Sequence, residues 1–367
     1  MHTSHLAPLL ILVLGAAAPS AQDASPAVDS GAGASARAEH PVPADPRWLR
    51  FEGGAGVGAG RHVLFVAADQ EYRSEESLPM LAQLLAERHG FHTTVLFGQN
   101  AEGLVDPTQK IRWEDPEVEH DIPGLEHLRS ADLCVLFTRL LTLPRAQQEH
   151  LFAYFDSGKP LVALRTANHG FLDFDYRVGG ERVRFGEDVL GGSFRKHHGR
   201  WHQDSTRATP VAENADHPIL IGVEDVWGPS DVYRTYPEGE SLPAGCTPLL
   251  MGQPLTGRAP TDGPNTNLIP LPVAWTKTWT GASGRAARVF HSTMGSARDF
   301  ESAGLRRVLL NAVLWGLERE SAITAELDVS PLAPYAPRES GFAYERLGVR
   351  ARPVSALDPR ARASAED

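Results

Sequence analysis

Residues 61–97 read RHVLFVAADQEYRSEESLPMLAQLLAERHGFHTTVLF and decide the fold. The apolar run at 63–66 is typical of a strand that is covered on both faces. Ser74 suits the N-cap of a following helix, in which leucines recur at helical spacing until His89 and Gly90 end it. Residues 93–97 then form a second strand. The stretch therefore predicts a β-α-β unit.

The same alternation continues toward the C-terminus. Residues 133–137 are another apolar run, Pro144 opens a helix that ends before Gly158, and residues 161–164 form a fourth strand. Right-handed crossovers between such units give a doubly wound parallel sheet, so we expect an α/β fold. Further strands are expected at residues 249–251, 272–275 and 288–293, and a closing helix at residues 303–317.

Both ends of the chain differ in composition from this middle part. Residues 1–21 are typical of a secretory signal peptide, because a short polar start precedes an apolar run, 6–18, that is too short to span a bilayer. Export to the periplasm or the cell exterior is therefore predicted. Residues 22–47 are rich in Ala, Ser, Pro and Gly, which predicts a disordered linker. Residues 48–320 form one predicted domain, followed by a proline-rich extension, 321–367.

The composition excludes several classes of protein. The 367 residues carry a formal net charge of -11 and no long Lys or Arg run, which argues against nucleic-acid and anionic-membrane partners. No stable membrane anchor is expected once the signal peptide is removed. The 2 cysteines exclude a disulfide-built scaffold and a Cys-rich zinc module. A bond between Cys134 and Cys246 stays open, although a cysteine inside a strand is more often a packed thiol.

Ligands of open α/β sheets bind beyond the carboxyl ends of the strands. That rule selects loops that are rich in polar residues, at 69–76, 138–140, 165–171 and 294–295. Arg165 stands where a nucleophile elbow would follow a strand, yet no Ser or Cys occupies this turn. Thr166 is an unusual nucleophile without a special base. We therefore expect Arg165 to anchor a hydroxyl or carboxylate and Thr166 to donate a hydrogen bond.

Three of the 15 histidines fall within six residues, as His197, His198 and His202. The last two would face one metal ion from a helix, but Gly199 disfavours a helix and no carboxylate stands at a familiar metal-motif spacing. Hydrogen bonding to a sugar is at least as well supported, so a divalent metal is left open and no cofactor is assigned. His291 lies within an apolar strand and is interpreted as a hydrogen-bonded core residue.

Seven short segments follow one another in a characteristic order. They are VAADQEYRSEE (66–76), KPLVALRTANH (159–169), HHG (197–199), DHPIL (216–220), DVY (231–233), PVAW (272–275) and TMG (293–295). Together they resemble the ThuA-like (trehalose utilisation) family, specifically its secreted branch from planctomycete-type bacteria, over residues 51–348. The resemblance implies a class I glutamine amidotransferase-like fold, which is flavodoxin-like, and a link to the catabolism of trehalose and keto-sugars.

The resemblance also bears on the chemistry at the elbow. True amidotransferases of this fold carry a cysteine there, where this chain has Arg165 and Thr166, and many relatives have a histidine in place of Arg165. No Cys-His-Glu set can be assembled from the sequence. Glutaminase activity is therefore not expected.

These observations favour an exported enzyme that acts on a disaccharide or keto-sugar by general acid/base chemistry, as a hydrolase, lyase or isomerase. Glu71 or Asp69 would act as base or acid, with His169 or His198 as proton partner. The alternatives are a non-catalytic sugar-binding protein and a metal-dependent hydrolase built on the three clustered histidines, and a homo-oligomer is left open. The expected substrate-binding residues are Tyr72, Arg73, Arg139, Arg165, Thr166, Asn168 and His197, together with Asp231 and Tyr233, which could instead be structural.

Overall fold

The computed structural model describes residues 39–363. In this part of the chain the central element is a 10-stranded sheet. Its strands are β1 (Leu49–Phe51), β2 (His62–Ala68), β3 (His92–Phe97), β4 (Leu133–Thr138), β5 (Leu161–Leu164), β6 (Thr206–Pro210), β7 (Val226–Gly228), β8 (Thr247–Pro254), β9 (Leu271–Thr280) and β10 (Ala286–Ser292). The longer helices are α1 (Ser74–His89), α2 (Arg145–Asp156) and α3 (Ala303–Gly316).

The strands lie in the order β1-β3-β2-β4-β5-β10-β9-β8-β6-β7. The run from β3 to β10 is parallel, whereas β1 at one edge and β9, β8, β6 and β7 at the other pair antiparallel. The predicted α/β, flavodoxin-like fold is confirmed, but the sheet is mixed, not parallel throughout. The reason is connection length, because residues 281–285 join β9 to β10 as a hairpin, while parallel neighbours need a crossover of about a dozen residues or more.

The central strands are buried on both faces. Along β2, Val63 and Phe65 belong to the core that contains α1 and α3, whereas Leu64 and Val66 belong to the core that contains residues of α2. Because successive side chains of a strand point to opposite faces, an unbroken apolar run fits only a strand that is covered on both sides. The two cores therefore explain the apolar run at 63–66 from which the fold was predicted.

Both extensions of the domain pack against it where the structure describes them. The predicted signal peptide, 1–21, and residues 22–38 of the predicted linker lie outside the described residues. From residue 39 the chain is folded, since Val42 is fully buried and Nε2 of His40 lies 3.1 Å from the carbonyl oxygen of Thr93. The end of the predicted linker is therefore part of the domain, not a disordered tether. The C-terminal extension is anchored by the buried side chains Ile323, Val329, Val354 and Leu357.

The described residues contain neither a candidate membrane-spanning helix nor a disulfide bond. Among residues 39–363, no helix is both long and apolar enough to cross a membrane. Both cysteines are free thiols. Cys134 is packed inside β4, where burial raises the pKa of its thiol, and Sγ of Cys246 lies 3.9 Å from the carbonyl oxygen of Gly191. The interpretation of Cys134 as a packed thiol is confirmed.

Candidate functional site

The loops that follow the parallel strands meet at one edge of the sheet. Thr166, after β5, donates a 2.6 Å hydrogen bond to Oδ2 of Asp69, after β2. Nε of Arg139, after β4, lies 3.2 Å from Oε2 of Glu71 in the same β2 loop. The polar residues that the sequence placed in separate loops therefore form one cluster, because parallel strands all end at this edge.

Strained backbone conformations are concentrated in these loops. The φ angles of Arg73, Leu140 and Arg165, one in the loop after each of β2, β4 and β5, are 61°, 48° and 45°. His202, which contacts the same cluster, has a φ of 56°. Side chains other than glycine rarely adopt this left-handed region, and such strain tends to persist at functional sites, where surrounding contacts over-determine it.

Arg165 occupies the elbow after β5 and is completely buried. Its Nη1 donates to the carbonyl oxygens of Asp231 and Thr293, both at 2.7 Å, and its Nη2 lies 2.9 Å from Oδ1 of Asp231. The guanidinium carbon lies 4.4 Å from the ring centre of Tyr72 and 3.8 Å from that of Tyr233. Burial alone lowers the pKa of Arg165, but the surrounding groups raise it well above its ordinary value, so the side chain stays charged. Arg165 is thus the fixed centre of the site and does not face solvent.

Asp231 links this arginine to a histidine at the surface of the site. Its second oxygen, Oδ2, accepts a 2.6 Å hydrogen bond from Nδ1 of His197. Burial raises the pKa of Asp231, but His197 and Arg165 outweigh that effect and hold the pKa below its ordinary value. The His197 side chain is 31% exposed, whereas that of Asp231 is 2% exposed. A buried, ionised carboxylate therefore orients a partly exposed imidazole through Nδ1 of His197.

Glu71 is the second carboxylate of the site and is 5% exposed. Its Oε1 accepts a 2.8 Å hydrogen bond from Nε1 of Trp201 and lies 3.3 Å from Nε2 of His202. Burial raises the pKa of Glu71, but the contacts with His202, Arg139 and Trp201 outweigh it and lower the pKa to about 2. Glu71 is therefore ionised at neutral pH and offers a fixed negative charge and hydrogen-bond acceptor.

Asp69 and Thr166 are used within the protein. Oδ1 of Asp69 accepts hydrogen bonds from the N–H groups of Glu71 and Tyr72, and its Oδ2 accepts from Thr166. Burial raises the pKa of Asp69, although these hydrogen bonds oppose the rise. In this arrangement, Asp69 shapes the β2 loop, and Thr166 donates to Asp69 instead of pointing into an open cleft.

Arg73 lies beneath the site. It is completely buried, and its Nη2 donates to the carbonyl oxygens of Gln70 and Gly341, the latter at 3.4 Å. Its guanidinium carbon lies 5.7 Å from the ring centre of Tyr344. These contacts connect the β2 loop to the C-terminal extension, so the structure does not bring Arg73 to the exposed side of the cluster.

A chain of hydrogen bonds determines the tautomer of His169. Nδ1 of His291 lies 3.0 Å from the carbonyl oxygen of Ala163, which can only accept, so this nitrogen carries the proton. Nε2 of His291 then accepts from Nδ2 of Asn168 at 3.3 Å, and Oδ1 of Asn168 accepts from Nδ1 of His169 at 2.7 Å. The lone pair of His169 is therefore on Nε2. Burial and the charge of Arg139 lower the pKa of His169 to about 3, which keeps the ring neutral. His291 is a hydrogen-bonded core residue, as interpreted from the sequence.

The three clustered histidines do not converge. The segment Lys196–His197 pairs antiparallel with Tyr233–Arg234, and neighbouring side chains of such a ladder point in opposite directions. Whereas His197 faces Asp231, Nε2 of His198 lies 2.8 Å from the carbonyl oxygen of Ile269. His198 is therefore not part of the cluster, and His202 contacts Glu71. Within residues 39–363, no three His, Cys, Asp or Glu side chains are grouped in a way that could hold a metal ion.

The remaining predicted residue, Tyr233, lies in the cluster. Its hydroxyl donates a 2.9 Å hydrogen bond to the hydroxyl of Tyr72, and both side chains are buried. Both rings also contact Arg165, and the ring of His169 lies 6.2 Å from that of Tyr233. The two tyrosine rings therefore pack together on Arg165, beneath the part of the site between His169 and His197.

Residues 62–316 match the model of the ThuA family, described as trehalose utilisation. The chain belongs to the ThuA family. The match confirms the resemblance drawn from the seven segments, while the secreted, planctomycete-type branch stays a prediction. The family description associates the chain with carbohydrate metabolism.

Solved structures of two ThuA-like proteins resemble this chain. One, from Bacteroides uniformis, shares 14% identity over 78% of this chain and 100% of its own, with a TM-score of 0.45. The other, from Parabacteroides merdae, shares 11% identity over 77% of this chain and 95% of its own, with a TM-score of 0.44. No curated protein matches the sequence.

Two aromatic residues that line this ThuA-family site were not predicted. The ring of Phe194 lies 5.0 Å from that of His169 and 5.1 Å from that of His197, so it separates the two histidines. Phe342 packs at 4.9 Å from the guanidinium of Arg139, although it lies outside the family match. Phe194 lies just before the clustered histidines, and this position in the sequence could have identified it as a site residue. No local signal marks Phe342, because its place depends on how the C-terminal extension folds back.

Two open cavities flank the cluster. The first, of about 580 Å³, is lined by His169, Asn168 and the aromatic loop that follows them. The second, of about 470 Å³, is lined by Trp201, His202 and residues of the C-terminal extension. Both volumes lie within the range of about 300–1,000 Å³ that is usual for small-molecule sites.

Proposed function

We propose that this ThuA-family protein is an exported enzyme that acts on a disaccharide or keto-sugar by general acid/base chemistry. The family description supports a carbohydrate substrate, and the composition of residues 1–21 supports export. No glutaminase activity is expected, since the elbow position is filled by a buried arginine and not by a cysteine.

The observation that carries the proposal is the 2.6 Å hydrogen bond between Nδ1 of His197 and Oδ2 of Asp231. A carboxylate that holds one ring nitrogen as a donor leaves the other available as a base, and it stabilises the imidazolium that forms after proton uptake. His197 replaces His198 as the proposed proton partner, because only His197 faces the cluster.

Other side chains of the cluster would bind and polarise the sugar. Glu71 supplies an ionised acceptor for hydroxyl groups, and Arg139 beside it supplies a donor. The neutral ring of His169 offers a second acceptor at Nε2 on the far side of Phe194. Rigidly held polar groups of this kind can orient a sugar for proton transfer.

A non-catalytic sugar-binding protein is the second candidate function. The observation that favours it is the exposure of two aromatic side chains at the mouth of the site, Trp201 at 41% and Phe342 at 40%. Aromatic rings pack well against apolar faces of ligands and need no reaction to do so. This candidate predicts tight binding of an intact sugar without product.

The test is to incubate the purified full chain with a panel of disaccharides and their 3-keto forms, and to identify products by NMR. We expect turnover by the natural protein, loss of turnover in His197→Gln, and retention in His150→Gln, which changes an exposed histidine of α2. Unchanged turnover in His197→Gln would overturn the assignment of His197. Binding without any product would favour the sugar-binding candidate.

A further inference from the structure

The C-terminal extension forms one wall of the second cavity. We call residues 338–344 the strap. Residues 339–343 of the strap line the cavity of about 470 Å³ together with Trp201, His202, Arg258, Arg346 and Leu347. We propose that this cavity is a subsite for a second sugar ring, with Trp201 and Phe342 as its aromatic platform. The inference rests on the proposed function, because it assumes that a first sugar ring binds at Glu71.

The strap is held firmly against the rest of the site. The N–H of Gly341 donates a 2.8 Å hydrogen bond to the carbonyl oxygen of Glu71, and the N–H of Arg338 donates at 2.8 Å to Oε2 of Glu76. The hydroxyls of Ser296 and Ser340 lie 2.7 Å apart. Because these contacts fix the wall before a ligand arrives, little ordering entropy remains to be lost on binding.

The platform consists of two exposed rings. The ring centres of Trp201 and Phe342 are 6.1 Å apart with an angle of 36° between the planes. Both side chains are exposed although each is held in place, Trp201 by its hydrogen bond to Glu71 and Phe342 by its contact with the Arg139 guanidinium. Neighbouring exposed apolar side chains with a polar surround mark binding sites more often than isolated ones do.

The polar lining of the cavity suits a hydroxyl-rich ligand. Nη2 of Arg258 lies 2.7 Å from Oε2 of Glu339, and the other oxygen of Glu339 pairs with Arg298. Arg346 also lines the cavity. These side chains offer several N–H donors and a carboxylate acceptor to hydroxyl groups. A pyranose ring presents an apolar face for the platform and a polar edge for this lining, which a small apolar ligand does not.

The cavity lies next to the Glu71 site. Trp201 and His202 both contact Glu71 and line the cavity. A ligand that binds at Glu71 can therefore place a further ring on the platform. Since the family match ends at residue 316, the strap adds this subsite from a part of the chain that the family model does not cover.

The experiment measures binding of glucose, trehalose, maltose and cellobiose to the full chain by calorimetry. Phe342→Ala should weaken binding of the preferred disaccharide by about tenfold, which corresponds to about 1.4 kcal/mol, and should weaken glucose binding by much less. Phe342→Leu keeps an apolar contact with Arg139 but lacks the aromatic face, so it should show a similar loss. Phe342→Trp should restore binding, and Trp113→Ala, which removes a 73% exposed tryptophan, serves as the matched control.

The outcomes separate this inference from the proposed function. If the natural protein binds disaccharides and both Phe342→Ala and Phe342→Leu bind them equally well, with unchanged melting temperatures, only the subsite is overturned. An equal loss for glucose and disaccharides also overturns it, because the platform would then act on the first ring. If the natural protein binds or converts no sugar at all, the proposed function fails as well.

Discussion

Nδ1 of His197 lies 2.6 Å from Oδ2 of Asp231, while the other oxygen of the same carboxylate lies 2.9 Å from Nη2 of Arg165. One buried carboxylate therefore joins the elbow after β5 to the partly exposed histidine. The position that holds the nucleophile in amidotransferases of this fold instead holds an arginine that supports the proposed base. In the proposed function, Arg165 positions an acid/base group at an elbow that has no cysteine.

The first prediction concerns the carboxylate of this pair. Asp231→Asn removes the negative charge that orients and stabilises the imidazolium of His197. We expect kcat on the substrate found by the product screen to fall by about 10²–10⁴-fold. Asp216→Asn, which changes an exposed aspartate, should keep the natural kcat. A folded Asp231→Asn protein with undiminished kcat would contradict the role of the pair.

The second prediction concerns the stability that Arg165 contributes. Arg165→Met leaves the buried carboxylate of Asp231 without its cationic partner, and removing one member of a buried ion pair costs about 3–5 kcal/mol. The free energy of unfolding, measured by urea denaturation, should fall by about this amount. Arg182→Met changes an exposed arginine and should stay within about 0.5 kcal/mol of the natural protein. If the two variants have equal unfolding free energies, then the Arg165–Asp231 ion pair does not contribute the predicted stability.

The third prediction concerns the tautomer of His169. The hydrogen bond from its Nδ1 to Oδ1 of Asn168 should appear in 15N NMR spectra as a ring protonated at Nδ1 and not at Nε2. The spectrum should not change between pH 5 and 8, because the pKa of His169 is lowered to about 3. In Asn168→Leu the ring should populate both tautomers, whereas Asn267→Leu, at an exposed position, should leave it unchanged. A ring protonated at Nε2 in the natural protein would contradict the chain of hydrogen bonds from His291 through Asn168 to His169.

The fourth prediction concerns acid stability. Burial lowers the pKa of His291 to about 3 from the model-peptide value of 6.5. Between these two values the unfolded chain binds a proton that the folded protein does not, so stability falls as the pH falls, by about 1.4 kcal/mol per pH unit for this residue. The lowered pKa values of His169 and Glu71 also make the folded protein less stable as the pH falls. For Glu71 this loss of stability occurs at lower pH.

The measurement for this prediction is the unfolding free energy at pH 5.5 and 4.5. His291→Gln should show a weaker pH dependence than the natural protein, by about 1.4 kcal/mol over this interval. His150→Gln, at an exposed position of α2, should keep the natural dependence. If His291→Gln and the natural protein lose stability in parallel, then His291 does not stay neutral in the folded state.

The parts of the fold that local patterns determine were predicted well. The strand at 161–164 was predicted with the bounds that the structure shows. The end of α1 at His89 and Gly90 was also predicted, but its N-cap is Arg73 and not Ser74 as predicted. A continuous apolar run of four to eight residues bounded by turn residues is typical of a strand between two cores. The start of the helix is less conventional, because Ser74 does not cap it through its side chain but accepts a hydrogen bond from the N–H of Asp69.

The partners of individual side chains could not be predicted in the same way. His197 and His198 are neighbours in the sequence, yet only His197 faces Asp231, because pairing with Tyr233–Arg234 sets which side of the ladder each occupies. His197 and Asp231 are 34 positions apart, so the register that brings them together leaves no local trace. Arg73 was likewise expected at the substrate but lies beneath the C-terminal extension.

The sequence by itself determined the layered α/β core and the edge of the sheet where polar loops meet, since both follow from local hydrophobic pattern and the direction of parallel strands. It also determined that no cysteine stands at the elbow. Only the tertiary structure decided which polar groups pair there, and that Phe342, far along the chain, lies beside Trp201. Those contacts depend on long-range packing, which brings residues together without leaving a pattern near either of them.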